Sequence, residues 1–190
     1  MNIEAFILIG GRSRRFGRDK AFFELEGEAL AKRAVRTVRA AFPGAIVGFV
    51  VASREQFEGR AQRLGESVVC DLRPGLGAWS GIHAALYHST AEWTLVLACD
   101  LPFVTFDLLR QLAASATSQD QAIVPRDEDG RVQPLCALYR TDDAKVVVEQ
   151  VMGRSDRLPP LLKIFDGLRT TVVEADAGVL RNVNSPADLP

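Results

Sequence analysis

The chain has 190 residues, 47% of them hydrophobic and 25% charged, and a formal net charge of −1. That apolar content and length suit one substantial core, read as a single domain over 1–190. A charge so close to zero excludes broad electrostatic attraction to nucleic acid or to an anionic membrane surface, so neither is expected as a partner. The three cysteines, Cys70, Cys99 and Cys136, are odd in number and form no Cys-x-x-Cys pair. This argues against a disulfide framework or a zinc site and for a reducing, cytoplasmic setting. Neither a secretory leader nor an apolar run of membrane-spanning length is read from the N-terminus onward.

The first predicted strand, 5–9, is apolar throughout and breaks into Gly10-Gly11-Arg12-Ser13-Arg14-Arg15-Phe16-Gly17-Arg18-Asp19-Lys20. Glycines let backbone N–H groups approach phosphate oxygens closely, and a run of such groups makes an anion-binding nest. Arg15 offers a planar fork to phosphate and Lys20 a compact point charge. The spacing fits neither a P-loop nor the Gly-x-Gly-x-x-Gly dinucleotide fingerprint. A basic surface turn is the plainer reading, but the density of phosphate-binding features favours a nucleotide loop.

An amphipathic helix is predicted over 29–42, with Leu30, Ala34, Val35, Val38 and Phe42 on its apolar face, stopped by Pro43-Gly44. A buried strand over 46–51, a charged helical stretch near 55–64 and a short strand over 67–70 follow. Asp71 then opens a second glycine-bearing loop, Asp71-Leu72-Arg73-Pro74-Gly75-Leu76-Gly77-Ala78-Trp79-Ser80-Gly81, with Gly81 starting a helix over 82–88. The strand over 93–98 is too apolar to be exposed, and Asp100 comes directly after it. An aspartate there suits Mg²⁺, which takes one or two carboxylates together with substrate phosphates; a turn or N-cap aspartate is the alternative. Helix 106–114, strand 121–125, a turn at Asp129-Gly130, a mixed segment 131–140, helix 144–151 and strand 169–173 complete the order. Arg154 and Arg157 read either as an anion-binding patch or as solvated surface. Asn182 and Asn184 fall on one side of an extended segment, and Ser185-Pro186 reads as a helix start. The chain stops at Pro190, about one turn into that helix, as a clipped C-terminus reads.

Alternating strands and helices imply an α/β fold with a mainly parallel sheet and helices on both faces. Ligands on such sheets lie beyond the carboxyl ends of the strands. The glycine-arginine loop, Asp71 and Asp100 each follow a strand, as that geometry requires.

Together these motifs resemble the molybdenum cofactor guanylyltransferase family, within the Rossmann-like, doubly wound nucleotidyltransferases. The resemblance covers nearly the whole chain. It is carried by the first loop, Asp71 with its glycine loop, Cys99-Asp100-Leu101-Pro102-Phe103, Gln133-Pro134-Leu135-Cys136-Ala137-Leu138-Tyr139 and Asn182-Val183-Asn184-Ser185-Pro186. It implies transfer of GMP from GTP to molybdenum-bound molybdopterin with release of pyrophosphate, and implies cofactor-delivery proteins or recipient molybdoenzymes as further partners. Leu8, Ile9, Gly10, Gly11 and Lys20 would contact GTP, Asp71 the nucleoside, and Asp100 both the nucleotide and Mg²⁺. Arg15, Gly17, Asn182 and Asn184 would lie on the pterin side, with Lys20, Asp100 and Arg15 catalytic. Ala78-Trp79 stands where the family often has Pro-Leu, in the segment expected to read the base or ribose. The readings left open are a cytidylyltransferase for the same pterin, a sugar- or polyol-phosphate nucleotidyltransferase, and a non-catalytic nucleotide or pterin carrier.

Overall fold

In the computed structural model, which describes residues 1–9, 20–52, 66–154, 158–184 and 188, strands and helices alternate. The elements are β1 (Ile3–Leu8), β2 (Glu24–Leu25), β3 (Glu28–Ala29), α1 (Leu30–Ala41), β4 (Ile46–Val51), β5 (Ser67–Cys70) and α2 (Ala78–His88). They continue with β6 (Trp93–Ala98), α3 (Phe106–Ala114), β7 (Ala122–Arg126), β8 (Cys136–Arg140), α4 (Thr141–Arg154) and β9 (Thr170–Glu174). Seven strands form one sheet in the order β5-β4-β1-β6-β8-β7-β9, and β2 and β3 pair as a small hairpin. The helical stretch expected near 55–64 lies outside the described residues.

The central strands are apolar on both faces because both faces are covered. On β1, alternation divides the side chains between two cores. Ile3, Ala5 and Ile7, with Ile9 beyond the strand, join a cluster with α1 and α3, whereas Phe6 and Leu8 join one with α2 and α4. β6 divides the same way, Trp93, Leu95 and Leu97 against Val96. The expected face of α1 is the buried one, with Leu30, Ala34, Val35 and Val38 inside; Phe42 is half-buried just past its end.

From β1 the chain builds outward to β4 and β5, then returns to place β6 on the other side of β1. The order therefore reverses between β1 and β6, and the loops leaving those two strands part to form a crevice.

The sheet is mainly parallel, as the alternation predicts, with β8 alone antiparallel to its neighbours β6 and β7 among the described strands. No crossover helix separates β7 from β8, so the chain returns through a short connection, turning at Gly130 with φ of +79°. One expectation needs correction: Gly81 does not start α2. Gly77, at φ +64° and ψ −136°, is the break before the helix, and Gly81 lies one turn inside it. A Cβ at Gly81 would lie 3.0 Å from Leu8 Cδ1, so this glycine allows α2 to pack closely over the end of β1.

Candidate active site

β8 runs against its neighbours, so its start shares an edge of the sheet with the ends of β1, β4, β5, β6, β7 and β9. Nearly every described candidate residue lies at that edge. Leu8 and Ile9 are buried where the chain leaves β1, with Cys99 N donating to Leu8 O at 3.2 Å and Ile9 N to Val50 O at 3.0 Å. Their described contacts are with the sheet and the core. Gly10, Gly11, Arg15 and Gly17 lie outside the described residues.

Lys20 re-enters at a 3-10 turn, Lys20–Phe22, anchored by buried Ala21 and by Phe23 N donating to Lys20 O at 3.0 Å. Its ammonium donates to Asp100 Oδ2 at 2.9 Å and to Asn184 Oδ1 at 3.0 Å. The Lys20 side chain is 13% exposed and that of Asp100 28%. Asp100 is placed by the end of β6, and its carbonyl accepts from Val183 N at 2.9 Å. That bond carries the 182–184 segment to the crevice. Three candidates from distant parts of the chain thus meet at one point. The sequence reading assigned Lys20 to the triphosphate and Asn184 to the pterin, without anticipating their direct contact.

Asp71 stands apart, at the end of edge strand β5, tied by its N–H to Val51 O at 2.8 Å. Three strand spacings separate β5 from β6, about 14 Å at some 4.8 Å each. Burial pushes the Asp71 carboxyl up to about 6 from its ordinary 3.8. Between those values the folded chain holds more proton than the unfolded one, so stability falls as pH rises through that window and stays lowered above it. Asp71→Asn removes the ionisation and is expected to raise the melting temperature by a few degrees at pH 7.5, with the gain vanishing towards pH 4. Thermal melts at both pH values check this.

The loop after Asp71 is pinned from behind. Arg73 donates to Met152 O at 3.2 Å, and Ser80 Oγ donates to Arg73 O. Trp79 is 4% exposed and donates through Nε1 to Pro159 O at 2.9 Å. The Trp79 side chain therefore sits in the core between α2 and the segment after α4, with Ala78 half-buried before it. The Arg73 and Trp79 anchors escaped the sequence reading because they depend on carbonyls some 80 residues away.

Among the described residues, no three acidic, histidine or cysteine side chains cluster as a metal cage. Among the described residues, the oxygens around the Lys20 ammonium include the Asp100 carboxylate and the Asn184 amide, and Asp188 Oδ2 accepts from Asn184 N at 2.7 Å. A carboxylate such as that of Asp100 is the kind of oxygen ligand Mg²⁺ takes, since that ion dehydrates reluctantly and shares its sphere with substrate phosphates.

A family model for the MobA-like NTP transferase domain matches residues 5–158. A probable molybdenum cofactor guanylyltransferase from Pelotomaculum thermopropionicum is 36% identical over 96% of this chain and 88% of the relative. Another from Mycobacterium marinum is 34% identical, covering 100% of this chain and 92% of its own. The crystal structure of molybdopterin-guanine dinucleotide biosynthesis protein A from Archaeoglobus fulgidus superposes with a TM-score of 0.78 at 25% identity, over 97% of this chain and 94% of that one.

Proposed function

The chain belongs to the MobA-like NTP transferase family, and from that premise we propose that it transfers GMP from GTP to the terminal phosphate of molybdenum-bound molybdopterin. The observation that carries this reading is the meeting of Lys20, Asp100 and Asn184 at the switch point of the sheet. We take 1–190 as one nucleotidyltransferase domain.

The acceptor's phosphate oxygen attacks the α-phosphorus of GTP in line. One bond forms there as the bond to the β-phosphate oxygen breaks, and pyrophosphate leaves. A phosphate monoester is already a nucleophile, so the protein need supply no covalent intermediate. Its work is positioning and charge neutralisation. The glycines Gly10 and Gly11 offer N–H groups to the triphosphate, and Arg15 and Lys20 offset its charge. Asp71 takes the nucleoside at the far edge, while Gly17, Asn182 and Asn184 are assigned to acceptor binding. Asp100 would hold Mg²⁺, which supplies Lewis-acid charge neutralisation at phosphate oxygens when bound. The Asn184 amide holds the Lys20 ammonium against Asp100, keeping a compact charge at the crevice rather than free in solvent.

No helix among the described residues is long and apolar enough to cross a membrane. We place the reaction in the cytoplasm, in keeping with the free thiols of Cys70, Cys99 and Cys136. The product's onward partners would be delivery proteins or recipient molybdoenzymes.

The test is product formation from molybdenum-loaded molybdopterin and Mg²⁺, with GTP and CTP in parallel. A guanine dinucleotide formed from GTP alone is expected. A cytosine dinucleotide moves the chain to cytidylyl transfer, and no product from folded, GTP-binding protein overturns the reading.

A further inference from the structure

A cleft of about 430 Å³ opens between the β7–β8 connection and the segment that follows β9, with Asp127, Arg131 and Gln133 on one wall and Arg181 and Asn182 on the other. Both walls hang from the strand and loop that carry Asp100. Ala98 N donates to Leu135 O at 2.7 Å, and Val183 N donates to Asp100 O at 2.9 Å. The cleft therefore adjoins the Lys20–Asp100–Asn184 cluster, on the side opposite Asp71. In the sheet order, β5 lies on one side of β6, whereas β7 and β9 lie on the other.

The Asp127 wall is rigid. Asp127 N donates to Arg131 O at 3.0 Å, Gly130 N donates to Asp127 O at 2.9 Å, and Arg126 bridges to Val132. Buried Tyr139 donates its hydroxyl to Pro134 O at 2.8 Å and fixes the approach to β8. Asp127 is only 8% exposed, with Oδ1 accepting from Arg131 N at 2.8 Å. A carboxylate has about four lone-pair sites, so the turn fixes this one in place and leaves it acceptor capacity. The Arg131 guanidinium reaches Asp129 at 3.0 Å and not Asp127.

We propose that this cleft takes an aminopyrimidinone ring, with Asp127 reading the ring's adjacent N–H and NH₂ donors. A carboxylate matches two parallel donors as it matches the guanidinium fork. The neighbouring ring carbonyl is served by donors from Arg131, Gln133 or Asn182. Pterin and guanine share this edge. The position of the cleft, across Asp100 from Asp71, assigns it to the pterin of the acceptor, so the proposal rests on the guanylyl-transfer reading. Asp127, Arg131 and Gln133 thereby become determinants of acceptor specificity.

The test is fluorescence titration of wild type and Asp127→Asn with 6-hydroxymethylpterin and with 6-hydroxymethyllumazine, which carries a carbonyl in place of the amino group. Wild type is expected to prefer the pterin by about tenfold or more, and Asp127→Asn to bind the two alike. In turnover, Asp127→Asn is expected to raise KM for the acceptor about tenfold with KM for GTP unchanged. An unaltered pterin-to-lumazine ratio in the variant overturns the proposal. So does a loss of discrimination between GTP and ITP, which places the guanine base in the cleft instead. Should Asp127→Asn fail to fold, Gln133→Leu is read by the same titration: weakened pterin binding supports the site and unchanged binding overturns it. The titration needs no turnover, so it fails separately from the guanylyl-transfer reading, which falls if wild type makes no guanine dinucleotide.

Discussion

Replacing Lys20 with alanine is expected to lower turnover by on the order of 10²–10³-fold, the cost of losing one preorganised charge-stabilising donor. The ammonium is held by Asp100 at 2.9 Å and Asn184 at 3.0 Å, so little reorganisation is needed for it to meet charge developing on a phosphate. Stability should move much less. With side chains 13% and 28% exposed, the Lys20–Asp100 pair is partly solvated, and its loss costs about 1 kcal/mol or less. Pyrophosphate release and a thermal melt on the same preparation separate the two effects. Lys20→Arg should recover only part of the rate, because a planar fork does not fill the place of a compact ammonium. An unchanged rate in Lys20→Ala removes the residue from the site.

Asp100→Ala should cost about 10³-fold or more in turnover, since it deletes the carboxylate assigned to Mg²⁺ and also frees Lys20 from its partner. Asp100→Asn separates these roles. It keeps an oxygen acceptor for Lys20 but removes the charge, so the Mg²⁺ concentration for half-maximal rate should rise while the melting temperature stays near wild type. Near-normal turnover of Asp100→Ala at saturating Mg²⁺ would sink the metal assignment. The double variant Lys20→Ala/Asp100→Ala should lose far less than the product of the two single losses, because the groups touch and act as a unit. Fully multiplicative losses would show that they act independently.

Much of this arrangement was legible in the residues, for identifiable reasons. β1 and β6 are apolar on both faces because they sit mid-sheet, and such runs admit little besides a buried strand. Asp71 and Asp100 stood out because each directly follows a predicted strand, where a carboxylate falls at the strand's end. The β2–β3 hairpin escaped notice: its strands are two residues each, and its turn puts Glu26 at φ +55° and Gly27 at φ +79°. Neither periodicity nor apolarity marks such a unit. The start of α2 was misplaced because Gly81 looks like a helix break, whereas its role is to clear Leu8. The direction of β8 follows from a connection too short to hold a crossover helix. The contact between Lys20 and Asn184 depends on packing across 164 positions, which no local pattern encodes.

That separation has a consequence for how the molecule forms. Lys20 reaches Asp100 across 80 positions and Asn184 across 164, and the last segment is carried by the strand at the far border of the sheet. The core pairing of β1 with β6 itself spans 90 positions, so the Lys20–Asp100 contact asks no longer loop than the sheet does. The Asn184 contact is different: its loop of 164 positions closes only when the segment after β9 is in place at the border of the sheet. Local loosening of that final segment is therefore expected to disturb the proposed site while leaving the core intact.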